Sequence, residues 1–274
     1  MGWKKPLLNL ATLSLTVSLG LAIIPRFPAK VQAQQKQTSV AQRIPGSWEI
    51  SQAFQAPNRG APSSTAGGAS RRTQCGTEKY EDDGSFAVLM PTDSKTNSKF
   101  GLTATANPKF FFYIRFTSAP TAKFVLKDNQ DNNIIEKTFA IAGTPGIVSF
   151  SPFEGENLSS LEKGKSYKWM LLLNCNDQIN SPIVQGFIEL TDPSPTLTQQ
   201  LKEAQGERDR LALYAKNGIW YEALSTIAEL HRTDPNNPDV AAAWEELLKS
   251  VGLEELAKEP LVDCCKAVTT TASP

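Results

Sequence analysis

Histidine is nearly absent from this chain of 274 residues; the only one is His231. One imidazole excludes paired-histidine metal sites and leaves Ser-His-Asp or Cys-His catalysis almost without supply. His231 falls at the C-terminus of a predicted helix, where a cation is favoured, so its expected role is capping. Cysteine is scarce too. Cys75, Cys175, Cys264 and Cys265 are too few for a disulfide-built scaffold, and with one histidine they make a poor zinc set. Neither sign of charge prevails, with 28 basic and 28 acidic side chains. Four of the cations (Lys4, Lys5, Arg26, Lys30) lie in the first 33 residues, leaving 24 basic against 28 acidic beyond them. That balance gives no electrostatic footprint for nucleic acid or an anionic membrane surface.

The motifs of common enzyme classes are missing as well. There is no phosphate-binding glycine loop and no dinucleotide fingerprint. Glu78, Glu81, Asp82 and Asp83 read as a solvated acidic run. Residues 128–133 (DNQDNN) carry oxygen ligands but lack the spacing of a calcium loop, and read as a turn. No acid stands out as one of a glycosidase pair. The expectation is a non-enzyme with no catalytic residues, cofactor or metal, and a hydrolase is a remote alternative.

What is present begins with a secretion signal over residues 1–33. Lys4 and Lys5 precede the apolar run 7–24, and Val31-Gln32-Ala33 offers a small-residue cleavage site. A retained membrane anchor is the alternative, disfavoured by the polar residues within the run. The expected location is therefore the periplasm or the cell exterior, where disulfides are permitted, with no membrane attachment of the mature form. Residues 34–74 are rich in Gln, Ala, Ser, Pro, Gly and Arg and read as a flexible low-complexity linker, or as an arm along a sheet edge.

Residues 75–192 hold seven runs with strand patterning: 86–90, 110–116, 122–127, 134–141, 146–150, 166–175 and 184–190. The longest, SYKWMLLLNC, places Tyr167, Trp169, Leu171, Leu173 and Cys175 on one face by period-two alternation. Turn chemistry separates the runs, in residues 128–133 and Gly143-Thr144-Pro145-Gly146. Seven short strands in this span predict an antiparallel β-sandwich. Leu161-x-x-Gly164-x-x-Tyr167 resembles the tyrosine corner of fibronectin type III and immunoglobulin-like domains, in which the Tyr hydroxyl bonds to upstream backbone. That resemblance implies that Tyr167 starts strand F and residues 184–190 form strand G. Trp169, not a cysteine, stands two residues after the Tyr, so the expectation is the sandwich and not an antibody domain. Cys75 opens this region and Cys175 ends its longest strand, which favours a Cys75–Cys175 disulfide over two unrelated thiols. Adjacent Cys264 and Cys265 are expected to be free or paired between molecules, because a bridge between neighbours is strained.

After Asp192 the apolar period changes to that of helices over residues 195–260. One helix is expected over 198–216 with Gly206 as a weak point, a second over 219–231, and a third capped by Asn237 with Pro238 in its first turn. Tyr214, Gly218, Trp220, Ala223, Ile227 and Pro235 fall in the register of a tetratricopeptide repeat, and the segment is similar to a single such repeat. Leu211 and Leu230 depart from it where small residues are usual. Trp220 and Trp244 are candidate partner-binding residues flanking a groove; the alternative is a structural cap packed on the β-region. Residues 261–274 are expected to form a disordered tail.

Several stretches in order resemble the cyanobacterial family designated domain of unknown function 928. They are Gly60-Ala61-Pro62, Gly67-Gly68-Ala69-Ser70-Arg71, Phe139-x-x-x-Gly143-Thr144-Pro145-Gly146-Ile147-Val148-Ser149, Leu161-x-x-Gly164-Lys165-Ser166-Tyr167-x-Trp169, Cys175, and Leu213-Tyr214-Ala215-x-Asn217-Gly218-Ile219-Trp220-Tyr221-Glu222-Ala223-Leu224. The resemblance implies an exported cyanobacterial protein and brings no activity with it. The expected whole is an immunoglobulin/fibronectin-like sandwich followed by a small helical domain, acting by protein–protein interaction. A module that binds glycan or the cell envelope is the alternative.

Overall fold

Each of the seven alternating runs becomes a strand. The computed structural model describes residues 54–57, 61, 86–115, 119–141, 145–153, 161–175 and 181–265. The secretion segment and Cys75 lie outside the described residues. The strands are β1 (Phe86–Val88), β2 (Phe100–Thr103), β3 (Phe110–Ile114), β4 (Thr121–Lys127), β5 (Asn133–Ala140), β6 (Gly146–Phe150), β7 (Ser166–Asn174) and β8 (Ile183–Leu190). They form two sheets, ordered β1-β3-β6 and β2-β8-β7-β4-β5. Neighbours are antiparallel except β2, which runs parallel to β8. β2 is the strand that patterning missed. Its four residues include Gly101, and it pairs with a strand more than 80 positions downstream, so nothing local announces it.

The sheets meet through aromatic side chains. Phe110 and Phe112 of β3 each pack edge-to-face with Trp169 on β7, at 5.7 Å between ring centroids. Phe150 of β6 lies 5.5 Å from Phe124 of β4 and 4.2 Å from Phe139 of β5. Strict in–out alternation along β7 sends Tyr167, Trp169, Leu171 and Leu173 into this layer.

Four helices follow: α1 (Pro195–Glu203), α2 (Glu207–Lys216), α3 (Trp220–Thr233) and α4 (Pro238–Lys249). The first predicted helix is thus two. The chain turns extended at Ala204 and Gly206, and the Asp209 carboxylate accepts the Gln205 N–H at 2.8 Å. Asn237 caps α4 by accepting from the backbone of Asp239 and Val240, with Pro238 in the first turn.

Three expected boundaries change. First, the helices share the core of the sheets. Trp220 Nε1 donates to Leu89 O at 2.9 Å, and the Tyr221 ring packs edge-on to Phe110 at 5.2 Å. All described residues fall in one unit, Ile44–Pro274, so the change of periodicity after Asp192 is no division between bodies. Second, residues 54–57 and 61 of the expected linker are packed. Phe54 stands edge-on to Trp220 at 4.9 Å, and Gln55 N–H donates to Ala215 O. Gly218 permits this approach: it holds φ +71, and a Cβ there would lie 2.7 Å from Gln55 O. Third, the expected tail is ordered through Cys265. Val262 N–H donates to Ile147 O at 2.9 Å, and apolar Leu261 and Val262 pack on the core, which offsets the entropy of ordering them.

The cysteines also correct the sequence reading. Cys264 and Cys265 form a disulfide with each other. Side chains of neighbouring extended residues point apart; Cys265 adopts φ 75 instead, and that backbone turn lets the two sulfurs meet. Cys175, 8% exposed, is disulfide-bonded as well.

Candidate functional site

The segment before β7 is a tight turn held from two sides. Gly164 takes the left-handed conformation (φ 72), and its N–H donates to Leu190 O at 2.7 Å. Lys165 N–H closes onto Glu162 O. Tyr167 points its ring inward and its hydroxyl back along the chain, where Oη accepts the Glu162 N–H at 3.0 Å. Leu161 is buried beside it. Leu161, Gly164 and Tyr167 therefore act together as a structural corner.

Antiparallel pairing of β4 with β7 sets Lys127 opposite Lys168, which brings the β4–β5 turn alongside this corner. In that turn Asp128 Oδ1 accepts from the Gln130 and Asn132 N–H groups at 2.8 and 2.9 Å, and Oδ2 from Asn132 Nδ2 at 3.0 Å. This is the Asx-type chemistry expected of the run, and it uses the oxygens a cation would need. Among the described residues no cluster of three or more His, Cys, Asp or Glu could hold a metal ion.

Between turn and corner lies a cleft of about 240 Å³, with Asp128, Asn129, Gln130, Glu162, Lys165 and Tyr167 among its walls. The Asn132 side-chain amide, with the turn's backbone N–H groups, holds the Asp128 carboxyl below the usual range. The Glu162 carboxylate, 2.8 Å from Lys165 Nζ, holds that ammonium above its usual range. Asp128 and Lys165 are thus both charged at neutral pH. Asp128 therefore serves as an acceptor and has no proton to give. The walls of the cleft combine acceptors (Asp128, Glu162, the Asn129 and Gln130 carbonyls) with donors (Lys165, the two side-chain amides). Such a surface can bind through hydrogen bonds.

The other residues singled out from sequence go elsewhere. Trp220 and Trp244 are each 1% exposed. Trp220 is tied to Leu89 O, and Trp244 Nε1 donates to Ala257 O at 3.2 Å with its ring 5.6 Å from His231. Neither lines an open groove. The partner-binding assignment of these two residues is therefore corrected to core packing, because the sheets and the residues after α4 cover them. Cys75, and with it the expected pairing with Cys175, lies outside the described residues.

One residue that sequence reasoning missed is Glu222, in the first turn of α3 where that helix lies on β2. Its Oε1 accepts from Thr103 Oγ1 at 2.7 Å and from Thr105 N–H at 3.1 Å, while Oε2 is sealed from solvent without a partner. Burial raises its pKa, opposed by those hydrogen bonds. A glutamate three residues into a helix looks like ordinary N-terminal chemistry; only the strand laid over it makes it unusual.

The family model described as Domain of Unknown Function (DUF928) matches residues 66–261. The chain belongs to the DUF928 family. The matched span takes in the eight strands and four helices of the described residues. Comparison with curated proteins finds no match.

Proposed function

We propose that this DUF928 protein is an exported, non-catalytic binding module, and that it takes a hydroxyl-rich ligand, an envelope glycan, in the cleft beside Tyr167. One observation carries the reading: hydrogen-bond donors and acceptors from the corner and the Asx turn line one cleft. Glycan hydroxyls both donate and accept, so a lining of both kinds suits them. A held site also loses little entropy on binding.

Export rests on the residue 1–33 pattern, and periplasm or cell exterior follows from it. No described helix is long and apolar enough to cross a membrane. Strand order β1-β3-β6 facing β2-β8-β7-β4-β5, with the corner at the start of β7, supports an immunoglobulin-like sandwich. The α2–α3 hairpin supports a tetratricopeptide-like unit serving as its cap. Burial of Trp220 and Trp244 removes the surface on which a protein-partner reading rests.

The test is retention on immobilised neutral and acidic oligosaccharides. Wild-type protein should be held and Lys165→Ala released. Retention that is unchanged in Lys165→Ala, or absent for wild type while crosslinking captures a protein, would turn the assignment away from glycan.

A further inference from the structure

Residues 260–262 lie along β6, an edge strand of the three-stranded sheet. Ile147 N–H donates to Pro260 O at 2.7 Å, Val262 N–H donates back to Ile147 O at 2.9 Å, and Leu261 forms a parallel bridge to Ile147. The strap thereby satisfies backbone groups that would otherwise offer an open edge to another chain. The fit is close: a Cβ on Gly146 would lie 2.6 Å from Pro260 O and 2.8 Å from Val262 Cγ1. At the far end of the strap, Cys264 Sγ lies 3.9 Å from Ala140 O, at the end of β5 in the other sheet. The Cys264–Cys265 disulfide thus ends a strap that touches the margins of both sheets.

We propose that Cys264–Cys265 is a thiol–disulfide exchange site with a dithiol as co-reactant, and that its redox state decides whether the strap stays on β6. The chain's bonded cysteines differ in access. Cys175 is buried, whereas Cys264 and Cys265 are half-buried and within reach of an attacking thiolate. The closed ring holds Cys265 at φ 75, a region that residues with side chains seldom occupy. Opening the ring frees Cys265 to return to negative φ, which redirects the chain at the end of the strap. The hydrogen bonds at Ile147 then have less to hold them, and local opening there becomes easier.

The exchange balances. One thiolate of the dithiol attacks a sulfur of the pair; the S–S bond breaks, and the departing cysteine leaves as a thiolate and takes up a proton. The second thiolate of the dithiol then displaces the remaining cysteine. The protein gains two electrons and two protons, and the co-reactant becomes a disulfide.

The full oxidised chain can be titrated with dithiothreitol, quenched with iodoacetamide and mapped by mass spectrometry, with amide exchange followed at Ile147 and Val262. Cys264 and Cys265 should take label at dithiothreitol levels that leave Cys175 unlabelled. The Ile147 and Val262 amides should exchange several-fold faster over the same range. The double variant C264S/C265S should exchange fast at both amides with or without dithiothreitol, while Trp169 and Leu126 in the β7–β4 pair stay protected. Labelling of Cys264 and Cys265 before any reductant, labelling of Cys175 first or together with them, or unchanged exchange at Ile147 and Val262 on reduction would overturn the proposal.

Discussion

At the corner before β7, the Tyr167 hydroxyl accepts a backbone N–H and the nearby charges face water. Where α3 lies on β2, Glu222 is closed in beside Thr103, with one oxygen unpartnered. The corner is polar, satisfied internally, and has donors and acceptors to spare on its outer side. The seam is apolar, formed by Trp220, Tyr221, Phe110 and Leu89, and tolerates one costly carboxyl. Buried apolar contact is therefore concentrated where helices meet sheet, and exposed donors and acceptors gather at the loop end of the five-stranded sheet. Trp220 and Trp244, the aromatic residues singled out from sequence, are both buried.

Substitutions sharpen this contrast in order of size. Trp220→Ala removes a fully buried ring and the hydrogen bond to Leu89, and should cost about 3–5 kcal/mol by urea denaturation. Loosening of the helices alone, with the sheets intact, would break the claim that the two share one core.

Glu222→Gln should act in the opposite sense. A carboxyl whose folded pKa is raised contributes stability that is fully present below its ordinary value near 4.5 and is lost as pH rises through the folded value. The wild type should thus be less stable than Glu222→Gln at pH 7–8, and the gap should close towards pH 4. Melting temperatures across that range measure it, and a gap independent of pH would contradict the burial argument.

Tyr167→Phe deletes one hydrogen bond to backbone and should lower stability by roughly 1 kcal/mol. Gln130→Ala, on the exposed side of the cleft, should shift stability by less than about 0.5 kcal/mol. In a binding assay the order should reverse, with Gln130→Ala impairing oligosaccharide retention more than Glu222→Gln does.

Much of the architecture could be read from residue patterns, and the reason is local. Period-two alternation marked β7 and its neighbours, and Leu161, Gly164 and Tyr167 marked the corner within seven residues. Asn237 and Pro238 marked the start of α4. What escaped depends on distant partners. β2 needs β8, the strap needs β6, and Phe54 needs Trp220. The cleft escaped for the same reason, since residues 128–130 and 162–167 meet only through the β4–β7 register. Glu222 was invisible because neither its spacing nor its neighbours in sequence reveal the strand above it.

The most direct test of recognition at the corner is amide chemical-shift mapping of the full chain titrated with soluble oligosaccharides. The account predicts saturable shifts at Asn129, Gln130, Glu162 and Lys165, and their loss in Lys165→Ala. Saturable shifts confined to α2–α4, or none at any of the four residues across neutral and acidic sugars, would contradict it.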